Sequence, residues 1–128
     1  MEGIALEVYG LDISPDLADL ARRRLPRWQA RIWAGNAYDF EPPMRFDFVR
    51  TGLEYVPPSR RQEFVQRLLT SYLHPGGRLI IGMQTEIRVE RPIEEAVSGW
   101  GNVIAGRIER PHSDPRAVRR AFWIDRTA

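Results

Sequence analysis

The stretch Val8-Tyr9-Gly10-Leu11-Asp12-Ile13-Ser14-Pro15 decides the fold. The apolar run from Leu6 to Ile13 predicts a short buried strand that carries an acid near its end. A helix start follows at once, with Ser14 suited to the N-cap and Pro15 to the first helical position. Leu17, Ala18, Ala21 and Leu25 then recur at helical spacing before Pro26, and Arg22, Arg23 and Arg24 fall on the solvated side. Such a junction sets a carboxylate at the carboxyl end of a parallel strand, where nucleotide-binding α/β folds hold ribose hydroxyls. In those folds the acid lies about 20 residues beyond a glycine-rich turn. Here eleven residues precede Asp12, and Gly3 and Gly10 are the only glycines among them. The acid is present and the phosphate-type loop is not.

Working outward, Arg31-Ile32-Trp33-Ala34 predicts a second strand that ends at Gly35-Asn36-Ala37, and Phe46-Asp47-Phe48-Val49-Arg50 a third. Ser59 and Gln62 have capping-box spacing after Pro57-Pro58. Phe64, Val65, Leu68, Leu69 and Tyr72 form the apolar stripe of the helix that follows, which stops at His74-Pro75-Gly76-Gly77. Arg78 to Met83 is a near-continuous apolar strand, suited to burial on both faces. Pro92 to Ser98 predicts a short helix with Ile93, Ala96 and Val97 inward. Val103–Glu109 and Val118–Asp125 read as an antiparallel hairpin around Pro111-His112-Ser113-Asp114-Pro115. The order β-α-β-β-α-β-(α)-β-β is that of an α/β layer fold, parallel first and antiparallel at its end. No internal repeat or domain boundary interrupts residues 1–128, which read as one domain.

Composition narrows the classes further. Nineteen basic residues, all arginine, face seventeen acidic ones, a net charge of +2, with no basic block of the kind that tracks phosphates. This reads as a protein without a nucleic-acid partner. The chain has no cysteine, which excludes disulfides and thiol chemistry, and no apolar run approaches 18 residues. A cytoplasmic protein without a membrane partner is expected. His112, Ser113 and Asp114 are neighbours in one loop and cannot converge as nucleophile, base and orienter. Trp28, Trp33, Trp100 and Trp123 lie far apart and read as core or lid residues rather than a base-stacking platform.

The series of motifs resembles the class I S-adenosylmethionine-dependent methyltransferases, from their second strand to the C-terminus. Gly10-Leu11-Asp12-Ile13-Ser14 resembles the strand with the ribose-binding acid, and Gly35-Asn36-Ala37 the adenine-contacting turn. Phe46 to Pro57 resembles the fourth strand and the loop facing the reaction. Leu73-His74-Pro75-Gly76-Gly77-Arg78-Leu79-Ile80 is similar to the turn into strand five. The resemblance implies a Rossmann-like methyltransferase sheet, mostly parallel with a C-terminal antiparallel hairpin. It also implies truncation at the N-terminus, because the family's first strand, glycine-rich loop and next helix, roughly 30 residues, have no counterpart. Asn36 stands where many members carry aspartate; its carbonyl can accept a hydrogen bond but brings no charge.

The resemblance implies S-adenosylmethionine as cofactor, bound weakly through its adenosine half, and a small-molecule methyl acceptor. Asp12 would hold the ribose and Ile13 the adenine face. Asn36 and Ala37 would recognise adenine, and Thr51 and Gly52 would let the ligand approach the backbone. Glu54 and Tyr55 are the candidates to face a substrate, as acid/base and stacking partner. Methyl transfer from a sulfonium needs alignment more than side-chain chemistry, so no catalytic residue is assigned. A non-catalytic nucleoside-binding module is the alternative, and an NAD-dependent oxidoreductase a weaker one. The missing strand would leave those ending at Asp12 and Arg50 with open edges, closed by direct pairing or by a second copy, a homodimer being favoured.

Overall fold

The computed structural model describes residues 7–54 and 56–127, so Leu6 and Tyr55 of the sequence reading lie outside it. The chain divides into two compact units, Met1–Glu41 and Pro42–Ala128. The order of elements is the one read from the sequence: β1 (Gly10–Asp12), α1 (Pro15–Arg24), β2 (Ile32–Ala34), β3 (Phe46–Gly52), α2 (Arg61–Arg67), β4 (Leu73–Ile87), α3 (Pro92–Gly99), β5 (Gly106–Pro111) and β6 (Ala117–Asp125).

The first unit is a β-α-β hand. β1 and β2 run parallel, with Gly10 opposite Ile32, Leu11 opposite Trp33 and Asp12 opposite Ala34. β1 is shorter than the apolar run suggests, because β2 supplies only three residues to pair with. The Ser14 hydroxyl caps α1 by accepting the Leu17 amide at 3.3 Å. Ala18 is completely buried, whereas Leu17 and Leu25 are exposed despite their place on the apolar stripe. Arg22 departs from the reading of a solvated arginine run. Its Nε and Nη2 donate to the Ile32 carbonyl at 3.0 and 2.8 Å, and its Nη1 reaches Asp19 at 2.7 Å. A guanidinium can spread donors over two directions in this way, so Arg22 binds α1 to the start of β2. Trp33 stacks between Tyr9 and Phe40, with ring centroids 5.4 and 5.6 Å away.

The second unit is built on a mixed four-stranded sheet in the order β3-β4-β6-β5. β3 and β4 are parallel, with Arg50 opposite Ile80 and Gly52 opposite Gly82. β4 with β6, and β5 with β6, are antiparallel. Because strand residues alternate between faces, one side carries Val49, Leu79, Ile81, Met83, Phe122 and Ile124. This is the core face: Leu79 and Ile81 are fully buried and Phe122 nearly so. The predicted stripe of Phe64, Val65, Leu68, Leu69 and Tyr72 is buried throughout, as are Ile93 and Val97 of α3.

Several local expectations are corrected. The capping box does not form, because Pro57-Pro58 sets a 3-10 turn over Pro58–Arg60 and places Ser59 inside it; Arg60 caps α2 without a side-chain bond. α2 ends at Arg67 and widens into a π-helical turn over Leu68–Tyr72, which still delivers the stripe to the core. The strand read as ending at Met83 runs on: β4 shifts register there and continues to Ile87, pairing Glu86 with Val118. Ala96 faces solvent, since α3 buries only Ile93 and Val97. The hairpin begins at Gly106 rather than Val103, which is 80% exposed. Finally, β1 and β3 belong to different sheets, so direct pairing, the alternative to closure by a second copy, is not seen among the described residues.

The end of the second sheet is fastened by one buried cation. Arg120 on β6 donates through Nε to Glu109 at 2.7 Å and through Nη1 to Glu86 at 3.1 Å. It also reaches the carbonyls of Ile87, Arg88 and Glu90, which fixes the chain between β4 and α3. Burial opposes the Arg120 charge, but its bonds to Glu109 and Glu86 outweigh that and raise its pKa.

Candidate functional site

Asp12 is the last residue of β1, and its backbone carbonyl accepts the Gly35 amide at 2.8 Å. Parallel pairing therefore brings the carboxyl ends of β1 and β2 side by side, with Asp12-Ile13 on one and Gly35-Asn36-Ala37 on the other. Asp12 Oδ1 accepts the Ser14 amide at 2.9 Å, which makes the acid part of the helix entry. A carboxylate has room for further donors, and Oδ2 meets no protein partner among the described residues. Ile13 is 70% exposed, a bare aliphatic surface beside that carboxylate.

Asn36 organises the facing turn. Its Oδ1 accepts the Tyr38 amide at 3.0 Å, and its backbone carbonyl accepts the amides of Asp39 and Phe40. This refines the sequence reading: the side-chain carbonyl is already engaged, so the group Asn36 can offer a ligand is its amide NH2 donor. Asn suits the position because its side chain closes a local turn. Gly35 is required by packing, since a Cβ there would lie 2.8 Å from Phe40 Cδ1. An open cleft of about 220 Å³ also runs between β1 and α1, lined by Gly10, Asp12, Ala18, Leu25 and Trp28 among others.

Thr51 and Gly52 sit at the carboxyl end of β3, in the second unit, and are strand residues rather than a turn. Thr51 pairs with Ile81 and Gly52 with Gly82, where a Cβ on Gly52 would stand 3.4 Å from the Gly82 carbonyl oxygen. Glu54 accepts the Gln84 amide through Oε1 at 2.7 Å, which ties the loop after β3 to β4. Arg61, which sequence reasoning passed over, donates from Nε to the carbonyls of Leu53 and Val56 at 3.0 and 2.9 Å and holds the same loop. Only its place as the first residue of α2, three residues after a double proline, could have marked it. His74 is exposed, in the excursion of β4 between Leu73 and Arg78 where the ladder to β3 is interrupted.

His112 does not make a triad. Its Nδ1 accepts the Asp114 amide at 2.9 Å, and Nε2 lies 3.1 Å from Thr85 Oγ1. Among the described residues no group of three or more His, Cys, Asp or Glu could hold a metal ion, and no helix is long and apolar enough to cross a membrane.

No protein-family model and no curated protein matches this chain. Solved structures do. The N-methyltransferase NodS from Bradyrhizobium japonicum WM9 matches 92% of this chain and 72% of its own length, with a TM-score of 0.73 at 14% identity. The 1,6-didemethyltoxoflavin-N1-methyltransferase of Burkholderia thailandensis, solved with its substrate and S-adenosylhomocysteine, matches with a TM-score of 0.61 at 16% identity, over 92% of this chain and 60% of that one. Magnesium protoporphyrin IX methyltransferase (ChlM) from Synechocystis PCC 6803, with bound SAM, gives 0.63 at 16% identity, over 93% of this chain and 59% of that one. The last two are thus spanned over about three fifths of their length. The chain has the fold of the class I S-adenosylmethionine-dependent methyltransferases.

Proposed function

We propose that this chain binds the adenosine half of S-adenosylmethionine through Asp12, Ile13, Asn36 and Ala37, and that it serves methyl transfer to a small-molecule acceptor. The observation that carries this is the junction of Asp12 with the Asn36 turn, held by the Asp12 carbonyl and the Gly35 amide. The donor set fits a nucleoside: a carboxylate with an open oxygen for ribose hydroxyls, an exposed aliphatic side chain for a base face, and an amide donor for a ring nitrogen. The cofactor supplies an electrophilic methyl carbon. The residues of this chain bind and orient the nucleoside that carries it.

A second reading, a nucleoside-binding module without catalysis, draws support from Glu54. That carboxylate holds the Gln84 amide, so the one acid considered for proton transfer is engaged in structure. Calorimetry with adenosine, S-adenosylhomocysteine and NAD separates the readings. Binding through the adenosine half gives adenosine and S-adenosylhomocysteine affinities within about tenfold of each other, a difference under about 1.4 kcal/mol. Submicromolar S-adenosylhomocysteine with far weaker adenosine would overturn the adenosine-half assignment, and binding of NAD alone would overturn the methyltransferase reading. Methyl transfer by an assembly that contains this chain, lost on Asp12→Ala, would exclude the non-catalytic module.

A further inference from the structure

The turn between β5 and β6 is closed by a histidine ring. His112 Nδ1 accepts the amide of Asp114, two residues on, at 2.9 Å, the place an asparagine oxygen takes in an Asx-turn. A ring nitrogen that accepts carries no proton, so this bond assigns the hydrogen of the neutral ring to Nε2. Nε2 lies 3.1 Å from Thr85 Oγ1 and donates to it, which ties the turn to β4. Asp114 leads the chain into β6: its carbonyl accepts the Ala117 amide at 3.1 Å, and its Oδ1 accepts the Arg116 amide at 2.9 Å. The Arg116 carbonyl in turn accepts the Arg88 amide at 3.0 Å, just past the end of β4.

We infer that this turn is a proton-operated switch with two states, closed when the His112 ring is neutral and open at Asp114 when it is charged. A proton on Nδ1 would set two N–H groups face to face across 2.9 Å, so the Asp114 amide must let go. Other acceptors are at hand. Ser113 Oγ lies 3.5 Å from Nδ1, and Asp114 offers its carboxylate, whose pKa Arg116 holds below the ordinary range with a smaller contribution from His112. One hydrogen bond is thus exchanged for another, a local change that leaves the rest of the sheet paired. The remaining charges about the turn are cations: Arg116 itself, Arg88, whose Nε donates to the Pro115 carbonyl at 3.3 Å, and, further along the hairpin, Arg110 opposite Arg119. Arginines keep their charge, and Arg116 keeps Asp114 ionised, so His112 is the group of the turn that titrates between about pH 8 and about pH 5. Thr85 follows Gln84, whose amide holds Glu54, so the switch stands one residue from the contact that fixes the loop after β3.

The test is NMR on the full chain between about pH 8 and about pH 5, a range that spans histidine titration. The ring nitrogens of His112 are expected to report the Nε2–H tautomer first and the doubly protonated ring last. With the same midpoint, the Arg88 and Ala117 amides should lose at least about fivefold of their protection against hydrogen exchange, taken relative to the unstructured chain at each pH. The amides of Ile81 and Phe122, in the middle of the sheet, should keep theirs. His112→Asn retains an acceptor for the Asp114 amide but has no proton to gain, so its protection should be equal at both ends of the range. His112→Ala has no acceptor and should leave the Arg88 and Ala117 amides less protected throughout. A proton on Nδ1 at about pH 8, equal protection of these amides at both ends of the range in the parent chain, or a fall that persists in His112→Asn would overturn the proposal.

Discussion

The carbonyl oxygen of Asp12 accepts the amide of Gly35 at 2.8 Å, one step beyond the last paired residues of β1 and β2. This bond makes the acid and the Asn36 turn a single rigid corner, so a nucleoside would meet two preorganised groups rather than two mobile loops. Such preorganisation lowers the ordering cost of binding.

Asp12→Ala and Asp12→Asn should therefore differ. Both remove the charge offered to a ribose, an interaction worth roughly 1.5–3 kcal/mol, or about ten- to a hundredfold in affinity. Only the alanine also removes the acceptor of the Ser14 amide, present at 2.9 Å in the native chain. Adenosine calorimetry should show the loss for both, and thermal melts should show a lower midpoint for alanine alone. Unchanged adenosine affinity in both variants would make Asp12 a helix-entry residue and nothing more.

Arg22→Met should loosen the first unit. The native guanidinium gives two hydrogen bonds to the Ile32 carbonyl, from a side chain 27% exposed. Partial exposure reduces the effect of a charged hydrogen bond to about 1 kcal/mol. Hydrogen exchange of the β2 amides should accelerate by about fivefold, while exchange in β4 and β6 stays as it was. Equal exchange in β2 would show that the bond contributes nothing in solution.

The parts of this fold legible in the sequence are those where one physical signal acts alone. The Phe64–Tyr72 stripe keeps its faces because burial decides it, even though the helix geometry widens midway. Ser14 caps α1 because the turn before it, closed by Asp12 on the Ser14 amide, supports the same helix entry. The failures lie where two signals compete. Ser59 has capping-box spacing, but the double proline before it imposes a 3-10 turn. The apolar run ends at Met83, yet β6 is long enough to pair with Glu86, whose charge is answered by Arg120. That pairing is long-range, and no local pattern announces it. At the candidate site, Asp12 and Asn36 were legible as residue types at strand ends, whereas the engagement of the Asn36 carbonyl by Tyr38 depends on the turn geometry itself.

Acid should weaken the second unit in a defined window. Arginine partners lower the carboxyl pKa of three residues: Arg120 beside Glu109, Arg116 beside Asp114, and Arg78 beside Asp125. In the unfolded chain these groups titrate near about 4.3 for Glu and 3.9 for Asp. Because the folded values are lower, the stabilisation is fully present above the unfolded values and is lost as pH falls through the folded ones. Urea midpoints should hold steady from neutrality to about pH 5 and then fall steadily below about pH 4. Glu109→Gln and Asp125→Asn should each flatten the slope, and added salt should flatten it in the parent chain. A slope unaffected by either substitution would assign acid sensitivity to other carboxylates.

The strongest stability effect should come from Arg120. Its side chain and that of Glu86 are both about 95% buried, at 4% and 5% exposure, and they meet at 3.1 Å. Among the described residues Glu86 Oε2 has no hydrogen-bond partner, and Arg120 alone donates to this carboxylate. Arg120→Met would leave an unanswered carboxylate in the core and take a donor from the carbonyls of Arg88 and Glu90, while that of Ile87 keeps the Glu90 amide at 3.0 Å. Breaking a buried pair from one side typically costs about 3–5 kcal/mol, a large share of the roughly 5–15 kcal/mol that holds a domain together. Removing both charges is different, since an apolar replacement of similar volume can be neutral. Glu86→Leu with Arg120→Met should therefore recover at least half of what Arg120→Met loses, measured by urea denaturation with unchanged m-value. Equal midpoints for the single and double variants would show that Glu86 escapes the penalty once Arg120 is gone. The cost would then lie with the carbonyls of Arg88 and Glu90.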